Sequence, residues 1–159
     1  LNSRTSWDKF YTPHRQGNLS GMHNDDIIYT PKVVVFKSDT DFPETMSEDK
    51  WYNVNVVTCA APDLYSCSED GENVSIAELS AVHKRRLRRI LDTALINGNE
   101  AVILGAFGCG AFGNPPDLAA QAAKSVIIDY LHAFRFIEFA VYCTPKYIEN
   151  FNTFKKILG

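Results

Sequence analysis

Residues 100–117 read EAVILGAFGCGAFGNPPD, and this stretch decides the fold class. It opens with a short apolar run, which predicts a central, fully buried strand over residues 100–105. Four glycines follow in nine positions, and two prolines then stand where the first turn of a helix accepts them. The stretch therefore predicts a strand, a glycine-rich loop and a helix that runs from residue 115 to about residue 134.

The segments on both sides alternate between the periods of strands and helices. Strands are predicted over residues 26–37, 52–61 and 136–143, and helices over residues 74–98 and 146–158. Pro31 places the first strand at a sheet edge or interrupts it. Ser75 or Asn73 is the expected N-cap of the long helix, and Gly98 its C-cap. Residues 1–10 can form a short helix, and an irregular surface segment is expected from there to residue 24.

Strands that alternate with helices predict a three-layer α/β fold with a central mixed, largely parallel sheet. Ligands of such sheets bind at the carboxyl ends of the strands. In this chain those ends are residues 59–63, 105–114 and 144–145. A functional site is therefore expected there.

Composition excludes several classes of protein. The chain has 159 residues and a net charge of −3, so no overall attraction to nucleic acid is expected. Its longest uninterrupted apolar runs are far shorter than the roughly 18 residues of a membrane span. The four cysteines form no C-x-x-C pair and have no histidine at metal-ligand spacing. We therefore expect a cytoplasmic protein with reduced cysteines, no metal, no cofactor and no membrane partner.

The glycine-rich loop has the composition of an anion site. Glycines between a strand and a helix allow successive backbone N–H groups to face a phosphate, and the helix N-terminus adds a favourable dipole. Gly110, central in the loop, is expected to need the backbone freedom of glycine. The alternative is a tight strand-to-helix turn. The loop also satisfies G-x-G-x-x-G, but the acidic residue expected about 20 positions later is not at a strand end, which leaves an NAD-binding Rossmann-type domain as a weaker alternative.

Five motifs together resemble the microbial-type poly(ADP-ribose) glycohydrolases, which have a macrodomain fold. They are LGAFGCGAFGNPP at 104–116, VNVVTCAAPD at 54–63, DDIIYTPKVVVF at 25–36, AVHKRRLRRIL at 81–91 and NFNTFKKIL at 150–158. They occur in the family's order and extend over nearly the whole chain. The resemblance implies a macrodomain-like domain over residues 1–159 that binds ADP-ribose or an ADP-ribosylated protein.

By the same resemblance, the ligand's diphosphate and ribose contact the glycine-rich loop. The implied binding residues are Gly105, Gly108, Cys109, Gly110, Ala111, Phe112, Gly113 and Asn114. Phe112 is expected to pack against the distal ribose, or alternatively to plug the loop onto the core. Asn114 either caps the following helix or contacts the ligand, and capping is the preferred interpretation.

The family's catalytic signature, a GGG loop followed by Gln-Glu-Glu, does not occur in this sequence. The opening residues resemble the segment that follows those glutamates, so we expect a domain truncated at its N-terminus and assign no catalytic residue. A non-catalytic module for ADP-ribose or another nucleotide diphosphate is the alternative function.

A basic cluster at residues 84–89 is predicted to be a solvated helix face. Arg88 and Asp92 stand at i,i+4 spacing and are expected to pair. Direct nucleic-acid binding is therefore not expected.

Overall fold

The computed structural model describes residues 4–17 and 20–159. Its helices are α1 (Arg4–Arg15), α2 (Leu64–Glu69), α3 (Ile76–Ile96), α4 (Pro116–Ile127) and α5 (Glu149–Leu158). Its strands are β1 (Ile27–Val35), β2 (Tyr52–Cys59), β3 (Ala101–Leu104) and β4 (Phe136–Phe139). Short 3-10 turns lie at Glu48–Lys50 and Ile128–Tyr130. None of the described helices is both long and apolar enough to cross a membrane.

Strands β1 and β2 form an antiparallel pair with an irregularity at the proline of β1. The register shifts between Thr30 and Val33, and Lys32 has a φ of +55°. The Lys32 N–H donates to Oδ1 of Asn55 across 3.0 Å, outside the regular ladder. The prediction that Pro31 interrupts its strand or places it at an edge is confirmed, because proline has no N–H to donate.

Strands β3 and β4 form a parallel pair, in register from Ala101 opposite Phe136 to Leu104 opposite Phe139. Among residues 4–17 and 20–159, β2 pairs only with β1 and β3 only with β4. We call these pairs the two half-sheets. The prediction that β3 is fully buried is wrong, since Ile103 is 66% exposed. The apolar composition of β3 is that of a central strand, but one of its edges has no neighbouring strand here.

The two half-sheets share a common strand direction. Asn55, early in β2, hydrogen-bonds Asn99, which precedes β3. Ala61, just after β2, lies against Gly108, shortly after β3. The strands β2, β3 and β4 therefore run in the same direction, and only β1 runs opposite. The mixed α/β class predicted from the sequence is confirmed.

Helix α3 connects the two half-sheets through the core. Leu91 and Ala94 pack with Leu104, Val126 and Phe134. The helix begins where predicted. Ser75 is its N-cap, and the Ser75 hydroxyl oxygen accepts a hydrogen bond from the N–H of Glu78. The prediction that Gly98 is the C-cap is wrong: Asn97 is the C-cap, and Gly98 follows it with a φ of +70°.

Several predicted boundaries differ from the observed ones. Strand β4 ends at Phe139 instead of residue 143, and α5 begins at Glu149 instead of residue 146. Helix α1 continues through Pro13 to Arg15, where an irregular segment was expected, and residues 1–3 lie outside the described residues. Helix α4 ends at Ile127, earlier than predicted. Helix α2 is not predicted at all, because its only start signal is the N-cap Asp63, which accepts hydrogen bonds from two of its N–H groups.

Candidate functional site

A cavity of about 370 Å³ opens at the carboxyl ends of β2 and β3, where the sequence predicts a ligand site. We call it the loop pocket. Its lining residues come from α1, from the segment before β1, from the end of β2 and from the glycine-rich loop: Phe10, Tyr11, His23, Asn24, Thr58, Cys59, Ala60, Ala61, Phe107, Gly108 and Phe112. The wall therefore combines aromatic rings with loop backbone.

Two glycines of the loop are required by its geometry. Gly108 and Gly113 have φ values of +75° and +66°, and residues with a side chain rarely adopt this backbone conformation. A Cβ on Gly108 would lie 2.6 Å from Nδ2 of Asn114, and one on Gly113 would lie 3.0 Å from the Tyr65 ring. The density of glycine in the loop is thus partly an internal packing requirement.

Gly110 differs from these two glycines. Its φ is not positive, and a Cβ there would meet nothing within 4 Å. The expectation that Gly110 needs the backbone freedom of glycine is therefore wrong. Open space above this residue leaves room for a molecule to approach the backbone.

Asn114 holds the loop together from inside. It is 2% exposed, and its Nδ2 donates to the carbonyl oxygens of Pro62, Gly108 and Phe112 over 2.6, 3.0 and 3.2 Å. Its Oδ1 accepts from Nε2 of His83. The preferred interpretation, that Asn114 caps α4, is wrong: Pro115 is the N-cap, and no side chain caps that helix.

His83 supports this amide from α3. Its side chain is 3% exposed, and burial lowers the pKa of the imidazole below its ordinary value. Since the amide oxygen only accepts, the neutral ring carries its proton on Nε2. The sequence offered no signal for this contact, because the two residues are 31 positions apart.

Several loop amides have no partner in the part of the chain that the structure describes. The N–H groups of Cys109, Gly113 and Asn114 donate within the loop. Those of Gly108, Gly110, Ala111 and Phe112 donate to no described residue. Unpaired backbone donors close to the N-terminus of α4 are the arrangement that binds anions in proteins.

Phe112 lies at the mouth of the pocket. It is 36% exposed, and its ring centroid is 6.0 Å from that of His23. The alternative that Phe112 plugs the loop onto the core is not what the structure shows, since neither buried core cluster includes it.

Of the eight predicted site residues, Gly108 and Phe112 line the loop pocket, and the other six do not. Gly105 lines a second cavity, between β2 and β3, rather than the loop pocket. The side chain of Cys109 packs beside Ala119, Ala120 and Phe154, and burial raises its pKa to about 11. The Cys109 backbone is engaged within the chain as well, since its N–H donates to the Ala106 carbonyl and its carbonyl accepts from Nδ2 of Asn150.

Arg86 is a buried residue beside the loop pocket, and the sequence did not predict its burial. It is 1% exposed, and its guanidinium donates to Oδ1 of Asp25 and to the carbonyl oxygens of Met22, His23 and Ala60. These bonds fix two segments that line the loop pocket. Its location on α3, amid a run of exposed basic residues, gave no sign of burial.

The neighbouring basic residues also differ from expectation. Arg85 binds the carboxylate of Asp25, and this hydrogen bond lowers the pKa of that carboxyl below its usual range. Arg88 pairs with Asp129 rather than with Asp92, which accepts from Tyr130 instead. Much of the basic cluster therefore serves contacts within the chain.

The described lining of the loop pocket contains no Asp, Glu, Lys or Arg. No group of three His, Cys, Asp or Glu side chains that could hold a metal ion occurs among the described residues. Glycosidic cleavage generally uses two carboxylates, and this lining provides none. The arrangement is therefore suited to binding through backbone N–H groups and aromatic rings.

No family model matches the chain, and no curated protein matches it. Solved structures do. Poly(ADP-ribose) glycohydrolase from Thermomonospora curvata aligns with a TM-score of 0.83 and 27% identity over 96% of this chain and 54% of that one. The same enzyme bound to the inhibitor ADP-HPD aligns with a TM-score of 0.83 and 27% identity over 96% of this chain and 56% of that one. The glycohydrolase from Deinococcus radiodurans in complex with ADP-ribose aligns with a TM-score of 0.79 and 26% identity over 95% of this chain and 59% of that one.

The chain thus spans a little over half the length of these solved enzymes. Sequence identity of this order over nearly the whole chain, together with the high TM-scores, supports a relationship to them. The chain has a macrodomain-like α/β fold similar to that of the poly(ADP-ribose) glycohydrolases.

Proposed function

We propose that this chain binds ADP-ribose in the loop pocket, with the diphosphate on the glycine-rich loop and the distal ribose against Phe112. The observation that carries the proposal is the row of unpartnered amides at Gly108, Gly110, Ala111 and Phe112. Hydrogen bonds from N–H groups to a charged acceptor are among the stronger ones in proteins. The similar Deinococcus radiodurans glycohydrolase was crystallised with ADP-ribose, which supports the choice of ligand.

The proposed binding residues each act through a different group. Gly108, Gly110, Ala111 and Phe112 donate backbone N–H groups, and the Phe112 ring packs on the ribose. Gly113 and Asn114 shape the loop. Gly105 would contact the ligand through its backbone, since it has no side chain. Cys109 would hold the shape of the loop, because its N–H donates to the Ala106 carbonyl and its side chain packs inward.

We propose binding without turnover for these 159 residues. The described pocket lining offers no carboxylate to protonate a leaving oxygen or to activate water. Hydrolysis of poly(ADP-ribose) would need acidic groups that polypeptide outside this sequence supplies. The similarity to the solved glycohydrolases supports the proposal that this chain is the ligand-binding part of such an enzyme.

Isothermal titration calorimetry with ADP-ribose, NAD and adenosine tests the binding proposal. We expect ADP-ribose to bind most tightly, and Gly110→Val to weaken it at least tenfold, about 1.4 kcal/mol, because the added side chain occupies the open space above the loop. Adenosine has no phosphate, so its affinity should change little in the same variant. Tighter binding of NAD would instead favour a dinucleotide-binding domain.

A further inference from the structure

His23 is the one residue in the described lining of the loop pocket that can become a cation. That lining contains no Lys or Arg, and its other titratable side chains, Tyr11 and Cys59, have no cationic form. Histidine ordinarily gains its positive charge between about pH 8 and pH 5. A pocket whose loop presents backbone N–H groups can therefore acquire a full positive charge from this single side chain.

The segment of residues 20–25, which carries His23, is fixed from two sides. On the side of α2, the Gly21 carbonyl accepts from the N–H of Asp63 across 2.7 Å, and a Cβ on Gly21 would lie only 2.5 Å from the Asp63 carbonyl oxygen. On the side of α3, the buried guanidinium of Arg86 donates to two carbonyl oxygens of the segment, one of them that of His23. The position of His23 at the pocket is therefore set by the fold around it.

The backbone of His23 has an unusual conformation beside the pocket mouth. Its φ is +55°, which is uncommon for a residue with a side chain. The conformation is held by the N–H of His23, which donates to the Ser20 carbonyl across 2.9 Å, and by the bond from Arg86. The imidazole centroid lies 6.0 Å from that of Phe112, whose N–H donates to no described residue. Unusual backbone geometry that the surrounding structure maintains is concentrated at binding sites.

Charged groups surround the segment of residues 20–25 and the loop pocket. They are Asp25, Asp63 at the start of α2, Arg85 and Arg86 on α3, and Arg15 on α1, whose guanidinium lies over the ring of the pocket residue Tyr11. The hydrogen bond from Arg85 lowers the pKa of the Asp25 carboxyl. Desolvation opposes the ionisation of Asp63, but hydrogen bonds from Ser66 outweigh it and lower that pKa as well. These groups therefore keep their charges near neutral pH.

The other imidazole near the pocket belongs to His83. It is buried, packs edge-on against the ring of Phe107 and does not line the pocket. Burial lowers the pKa of His83, so this ring stays neutral where an exposed histidine begins to gain its charge. Among the described groups, His23 is therefore the one through which the charge of the pocket changes near neutral pH.

We propose that His23 is a ligand-binding residue of the loop pocket, whose imidazolium donates a charge-assisted hydrogen bond to the anionic group held by the loop amides. This inference rests on the proposed binding of ADP-ribose, in which the anionic group is the diphosphate. An imidazolium carries two N–H donors, so one nitrogen can serve the ligand while the other is engaged within the chain. Hydrogen bonds between charged partners are about twice as strong as neutral ones, so binding strengthens as His23 gains its proton.

Proton binding and ligand binding are then coupled. A ligand that prefers the charged imidazole raises the protonated fraction of His23, so the chain takes up protons when it binds near pH 7. The same preference discriminates among ligands, because a nucleoside without phosphate offers no anion to the imidazolium. Adenosine should therefore show no gain in affinity at low pH.

Isothermal titration calorimetry with ADP-ribose at pH 6 and pH 8 tests the role of His23. We expect the unmodified chain to bind at least threefold more tightly at pH 6. Titrations at pH 7 in two buffers of different ionisation enthalpy should show net proton uptake. His23→Asn removes the titrating group and suits the backbone, because asparagine is enriched at positive φ. This variant should lose both the pH dependence and the proton uptake.

The matched control is His132→Asn. His132 is exposed and precedes β4, at the end of the sheet opposite the loop pocket. This variant should bind ADP-ribose as the unmodified chain does at both pH values. Circular dichroism at pH 6 and pH 8 shows whether each variant is folded.

Three results would overturn the role of His23 while leaving the proposed function intact: equal ADP-ribose affinity at the two pH values, a pH dependence that persists in His23→Asn, or an equal pH dependence for adenosine. If His23→Asn does not fold, proton uptake by the unmodified chain and the comparison with adenosine still decide. Absence of ADP-ribose binding at both pH values would overturn the proposed function and the role of His23 together.

Discussion

Nε2 of His83 donates to Oδ1 of Asn114 across 2.8 Å, and both side chains are almost entirely buried. This bond connects the long helix α3 to the glycine-rich loop. The Asn114 amide in turn donates to three backbone carbonyls of the loop and of the segment after β2. One side-chain pair therefore fixes both the conformation of the loop and its position over the core.

Replacing Asn114 with alanine should destabilise the protein by about 2–4 kcal/mol, because buried carbonyl groups and the His83 N–H lose their partner. Chemical denaturation monitored by circular dichroism measures this loss. The control is Asn150→Ala, which removes a single bond from Nδ2 to the Cys109 carbonyl and should cost about 1 kcal/mol. Equal losses in the two variants would contradict a central role for Asn114.

Protonation of His83 should oppose folding. Its folded pKa lies below the value of 6.5 for the free side chain, chiefly because of burial. The unfolded state therefore binds more protons as the pH falls below 6.5, and stability is lost from there down through the folded pKa. We expect the free energy of unfolding to decrease between pH 7 and pH 5, and His83→Gln to flatten this dependence. An unchanged slope in His83→Gln would show that other groups cause it.

Glycines of the same loop should respond differently to alanine. Gly108→Ala should cost about 1–3 kcal/mol of stability, since it forces a Cβ into a positive φ and against the Asn114 amide. Gly110→Ala should stay within about 0.5 kcal/mol, because its φ is ordinary and the space above it is open. Thermal denaturation of the two variants in parallel checks this. A larger loss at Gly110 would mean that the loop packs otherwise.

The sequence predicts what depends on neighbouring residues and fails for what depends on distant ones. The period of α3, its Ser75 cap and the interruption of β1 at Pro31 are local signals, and all three were found. Arg86 looked like part of an exposed basic run because its partner Asp25 lies 61 positions away. The exposure of β3 could not be predicted either, since a strand's composition does not reveal whether a neighbour is present.

Arg86→Met should destabilise the chain by about 3–5 kcal/mol, because it removes a buried cation that satisfies three carbonyls and one carboxylate. Arg88→Met, two residues along the same helix, breaks only the exposed pair with Asp129 and should cost less than about 1 kcal/mol. Urea denaturation of both variants gives the comparison. Similar midpoints would contradict the burial of Arg86.

Phe112 should matter more for ligand affinity than for stability. Its ring is 36% exposed at the mouth of the loop pocket and lies outside both core clusters, so Phe112→Ala should cost less than about 1.5 kcal/mol of folding free energy. If the ring packs on a ribose, the same variant should weaken ADP-ribose binding about tenfold, whereas Phe112→Tyr, which keeps an aromatic face, should stay within about threefold. Calorimetry on variants with matched circular dichroism spectra separates the two effects. Full affinity in Phe112→Ala would show that the ring does not contact the ligand. The backbone donors of the loop would then be the proposed anion-binding element without it.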